Sequence, residues 1–90
     1  MGLTFTKDGN AYVATFEATS DFNLHLELPE RGLVSVQQRT TSSGKYAPVK
    51  GMERYNFDTI LDVDFGGGIY PKNIKVMCAS KPSVAEVTMA

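Results

Sequence analysis

The chain is poor in the residues that small proteins use as staples or reagents. Among its 90 residues are one cysteine, one histidine and no tryptophan. A single cysteine cannot close an internal disulfide, and Cys-rich metal spacing is absent with it. No apolar run approaches the ~18 residues that a membrane-crossing helix needs. Nine Lys and Arg stand against ten Asp and Glu, spread along the chain for a net charge of −1. Without a basic block or stripe, the electrostatic footprint of a nucleic-acid binder is missing. No acidic tail is present. The opening MGLTFTKDGN has neither the charged n-region nor the apolar h-region of a signal peptide. These absences predict no nucleic-acid partner, no membrane partner, no metal and no cofactor. Ninety residues also predict one domain, 1–90. A chain this short buries only about 60–65% of its unfolded surface, so it gains from packing on a neighbour.

What is present is alternation. Phe22, Leu24, Leu26 and Leu28 fall on one side of an extended chain, with Asn23, His25 and Glu27 on the other. This is the period of a half-buried strand. Pro29-Glu30-Arg31-Gly32 breaks it with turn residues, and Leu33 to Arg39 resumes an extended run. The two runs together predict an antiparallel hairpin. Leu3 to Thr6 and Ala11 to Thr19 predict two further strands around an Asp8-Gly9 turn. Tyr46-Ala47-Pro48-Val49 is short and proline-bearing, which suits a sheet edge. Residues 50–56 carry no clear period and read as a turn or a single helical turn. Residues 57–65, 73–79 and 84–89 complete the strands.

No stretch offers a 3.6-residue stripe, so helical and parallel α/β architectures are disfavoured. About seven to eight short strands at even spacing predict an all-β fold, an antiparallel β-sandwich of immunoglobulin-like or jelly-roll-like form. A second layer is needed to cover Phe5, Phe16, Phe22, Phe57 and Phe65.

Reactive chemistry has few carriers. His25 lies on the polar side of its strand, while Cys78 shares a face with Ile74 and Val76 and is expected in the core. The two therefore should not meet as a nucleophile–base pair. Asp58, Asp62 and Asp64 share one side of a strand. Carboxylates on a straight strand diverge, whereas a calcium loop curves around its ion, so a solvated face is the expectation. Gly66-Gly67-Gly68 reads as a connector or bulge. Tyr46, Tyr55 and Tyr70 could form a platform for sugars, which makes a carbohydrate- or protein-binding module the rival to a structural part. No catalytic residue is expected.

The segment Phe5-Thr6-Lys7-Asp8-Gly9-Asn10-Ala11-Tyr12-Val13, with residues 16–27, Val36-Gln37-Gln38-Arg39 and Tyr70-Pro71-Lys72-Asn73-Ile74-Lys75, resembles small all-β virion proteins of tailed bacteriophages. Among these it is most similar to those of crAss-like phages of gut Bacteroidales. The resemblance implies a non-enzymatic part: an auxiliary or decoration protein on the capsid, or a fitting at the head–tail junction. It implies the major capsid protein, other virion proteins or further copies of the chain as partners. It also implies residence in the virion, and in the host cytoplasm before assembly. The contact residues expected on that basis are His25, Glu27, Gln37, Arg39, Lys45, Tyr46 and Tyr70, with loops 40–45 and 66–70.

Overall fold

The computed structural model describes residues 1–40, 43–56 and 58–90, with the side chains of 54–56 left aside. Eight strands follow one another: β1 (Thr6–Asp8), β2 (Ala11–Ala18), β3 (Phe22–Glu27), β4 (Gly32–Arg39), β5 (Ala47–Asn56), β6 (Ile60–Phe65), β7 (Lys72–Cys78) and β8 (Val84–Met89). They form two antiparallel sheets, ordered β1-β2-β7-β4-β5 and β6-β3-β8. The expected all-β sandwich is what the chain forms.

The strand order has a simple origin. β2 pairs with β7, β3 with β6 and β4 with β5, as nested arms of one long antiparallel ribbon. The outermost arm is residues 1–3, which bond to β8 through Leu3 N to Ala85 O and Val87 N to Met1 O, 3.0 and 2.8 Å. Rolling such a ribbon sends alternate arms to opposite layers, and β3 then meets β8 while β7 meets β4. That is jelly-roll order. One departure is clear: after residues 1–3 the chain crosses layers, and β1 joins β2 in the larger sheet.

Alternation decides what lies between the layers. On β3, Phe22, Leu24 and Leu26 are buried, with Asn23, His25 and Glu27 partly exposed. Val34 and Val36 of β4, Ile74, Val76 and Cys78 of β7 and Val87 of β8 complete the centre of one apolar cluster. Phe22 stacks on Phe65 at 4.8 Å and meets Phe16 of the other sheet edge-on at 5.3 Å, tying the layers together. Such offset and edge-on ring pairs add to the area they bury.

Three expectations need correction. β3 and β4 are not a hairpin: β3 lies in the small sheet and β4 in the large one. Leu28 stays with the small sheet through its N–H bond to Thr59 O, at 2.7 Å. Four extended residues reach about 13 Å, enough to step between layers ~10 Å apart. Alternation reveals which side chains face inward, not which strand is the neighbour. Residues 50–56 are not a turn but the second half of β5, whose pairing with β4 shifts register between Ser35 and Gln37. Gly51 there has φ of 79°, a conformation other residues resist, and that irregularity hid the strand period. The first regular strand begins at Thr6 rather than Leu3. Phe57 lies outside the described residues, while β5, with Pro48, forms the edge of its sheet as expected.

Leu24 and Leu33 separate packing from mere hydrophobicity, since Leu24 is wholly buried and Leu33 is 57% exposed. Leu24→Ala should cost about 3 kcal/mol of unfolding free energy and Leu33→Ala about 0.5 or less, read by urea denaturation.

Candidate functional site

Two polar constellations stand out, on different parts of the sandwich. The first covers the outer face of the small sheet. Pairing sets His25 between Asp62 of β6 and Glu86 of β8, and Asn23 beside Asp64. The Asn23 amide donates from Nδ2 to Asp62 Oδ1 at 2.7 Å and to Asp64 Oδ1 at 2.8 Å. His25 Nδ1 lies 2.8 Å from Asp62 Oδ2, and its Nε2 lies 3.0 Å from Glu27 Oε2. Carboxylates only accept, so both ring nitrogens donate when the ring is imidazolium. Hydrogen bonds to Glu27 and then to Asp62 hold the His25 pKa above its ordinary value. Asn23 and then His25 hold the Asp62 carboxyl below its own. Four of the ten acidic residues, Glu27, Asp62, Asp64 and Glu86, share this face. Among the described residues no group of three or more His, Cys, Asp and Glu is arranged to hold a metal ion.

The second constellation is at one end of the sandwich, where the β4–β5 and β6–β7 connections meet. A hollow of about 580 Å³ opens there. Phe22, Phe65, Val49 and Ile74 supply apolar wall, and Gly66, Gly67 and Gly68 a wall without side chains. Arg39, Lys45, Lys50 and Lys72 surround it. The Arg39 guanidinium sits 4.4 Å over the Tyr46 ring, with Lys75 Nζ 5.4 Å from the same ring. Lys72 donates to Gln38 Oε1 at 3.0 Å and lies 5.0 Å from the Tyr70 ring. The Tyr70 hydroxyl is buried without a well-formed hydrogen bond. Desolvation, with Asp21 beside it, holds that phenol above its usual range.

The seven expected contact residues are therefore split. His25 and Glu27 belong to the acidic face. Arg39, Lys45, Tyr46 and Tyr70 gather at or beside the hollow, as do the 66–70 loop and the described part of 40–45. Gln37 stands apart on the outer side of the large sheet, donating to Met77 Sδ at 3.4 Å. Tyr55's side chain lies outside the described residues. Lys50 and Lys72 were not foreseen: the hollow draws cations from separate segments, so no charge run announces it.

A scan of protein-family models finds no match to the chain, and comparison with curated proteins and with solved structures finds none either.

Cys78 is buried, and loss of solvation pushes its thiol up to about 12. A thiol is the weaker nucleophile than its thiolate, so native Cys78 should resist a disulfide reagent at neutral pH and react fully in denaturant. For His25, a raised folded-state pKa means stabilisation that is complete below the unfolded value of 6.5 and lost as pH rises through the folded one. Asp62 contributes in the opposite sense: its stabilisation holds above the unfolded 3.8 and fades as pH falls through its depressed value. Unfolding free energy should thus decline as the His25 ring deprotonates, and His25→Gln should flatten that decline. An imidazole NMR titration midpoint at or below 6.5 would contradict the geometry.

Proposed function

We propose that the protein is a non-enzymatic structural component of a phage virion, an auxiliary or decoration protein seated on the capsid shell. The observation that carries the reading is the strand order. A rolled ribbon of this kind is the architecture of many viral coat domains. Fold alone does not set function, so this is an analogy added to the resemblance of strand and turn segments.

The outer face of the small sheet suits a docking role. Ile60 and Val84 flank Glu27 across neighbouring strands, and Ile60 is 56% exposed. They add apolar area at one end of a polar face, and protein interfaces combine both kinds of surface. The groups an enzyme would recruit are otherwise engaged. His25 is bonded to two carboxylates, and Cys78 is buried among apolar side chains.

Jelly rolls also serve as lectins, which keeps a carbohydrate-binding module as the alternative. A sugar stacking on Tyr46 or Tyr70 on the cation-bearing faces would have to displace Arg39, Lys75 or Lys72. Glycan binding lost on Tyr46→Ala would favour that module.

Mass spectrometry of purified particles should find the protein at a fixed ratio to the coat protein. Ile60→Lys should lower its affinity for capsids about fivefold or more without changing its Tm. Absence from particles, with free protein in infected cells, would end this reading.

A further inference from the structure

The cation-rimmed hollow lies apart from the small-sheet face proposed for docking, and its composition asks for an explanation. It gathers four of the nine Lys and Arg of a chain whose net charge is −1, and among the described residues no carboxylate lines it. None of the four is paired with a carboxylate among the described residues. Arg39 is positioned by neutral groups: the Tyr46 ring, Asn73 Oδ1 at 3.4 Å and Gly44 O at 3.3 Å. Lys72 is positioned by Gln38 Oε1 and the Tyr70 ring. Lys45 and Lys50 have no hydrogen-bond or ion-pair partner among the described residues. The nearby Asp21 stands behind Gly66, lining a neighbouring hollow instead. Like charges converging without a counter-charge raise the energy of the free protein. An anion entering the hollow would relieve that repulsion.

The wall geometry points the same way. A Cβ on Gly68 would sit 2.5 Å from Lys72 Nζ, so the glycine lets that ammonium lie against the backbone, and a larger residue would push the lysine aside. Gly67, with φ of 73°, carries the loop through a conformation that other residues resist. Phe65, Val49 and the 78%-exposed Ile69 add an apolar side that a bare inorganic ion would not use. The volume of about 580 Å³ lies within the range of small-molecule sites.

We propose that this hollow binds a small organic polyanion, a molecule carrying at least two phosphate, sulfate or carboxylate groups on a compact body. Arg39 and Lys72 form the fixed pair of charges. Lys45 and Lys50, exposed and unpaired among the described residues, close on the ligand from the rim. The site does not depend on a virion setting, and binding can be measured whether or not the protein docks on capsids.

The test is calorimetric titration of the full chain with fructose 1,6-bisphosphate and with inorganic pyrophosphate, alongside thermal unfolding. Both probes should bind and raise Tm, the sugar bisphosphate more tightly, with affinity falling as salt rises. The double variant Lys45→Ala, Lys50→Ala leaves the core and the Arg39 and Lys72 anchors untouched. It should keep or slightly raise the Tm of the free protein, by relieving repulsion, and weaken binding about tenfold or more. Lys7→Ala with Lys81→Ala removes the same charge elsewhere and should change affinity less than about twofold. Equal loss in both double variants would reduce the effect to net charge and overturn the site. So would failure of both probes to bind, equal binding of neutral fructose, or binding of a Glu-rich peptide alone, which would assign the hollow to a protein ligand.

Discussion

The parity of β3 is the constraint on which everything else hangs. Leu24 and Leu26 are fully enclosed between the layers, and His25 between them lies outside. A slip of one residue against β6 and β8 would drive an imidazole, an amide and a carboxylate into an apolar interior. Because β3 is the middle strand of its sheet, the same choice is imposed on both flanking strands at once. The register that hides two leucines thereby also sets Asn23 opposite Asp64 and His25 between Asp62 and Glu86. The polar array on the outside is the other side of the packing decision on the inside.

Charge is divided where composition shows balance. A net value of −1 describes neither the carboxylate-rich small sheet nor the cation-rimmed end of the sandwich. On the acidic face the Asn23 amide donates hydrogen bonds to two carboxylates, and His25 bonds two and offsets charge when it is imidazolium. The cationic end instead anchors its charges on neutral oxygens and aromatic rings. These are two distinct electrostatic solutions: one damps a field locally, and the other preserves it.

Much of the fold was legible because a strand with one buried face writes its period into the sequence. Phe22 to Leu28 and Ile74 to Cys78 alternate cleanly, and their inward residues were read correctly. Neighbour relations were not legible. The step from β3 to β4 carries the same Pro and Gly signals as a hairpin, yet it joins different sheets. β5 was obscured by its register shift, which interrupts the alternation. Arg39, Lys45 and the 66–70 loop were picked out as polar and exposed, but their convergence with Lys50 and Lys72 exists only once the ribbon is rolled. Contacts between sequence-distant segments leave no local periodicity to read.

Residues 1–3 cover the free side of β8 before the chain crosses to the other layer. Among the described residues, the small sheet then presents one open margin, along β6, where Asp62 and Asp64 project beside the unpaired backbone. Two such margins brought together would oppose carboxylate to carboxylate, while the β5 margin of the large sheet is irregular at Gly51 and carries Pro48. Lateral fusion of sheets from one molecule to the next is thus discouraged along these two margins, and the third, at β1, offers only a three-residue strand.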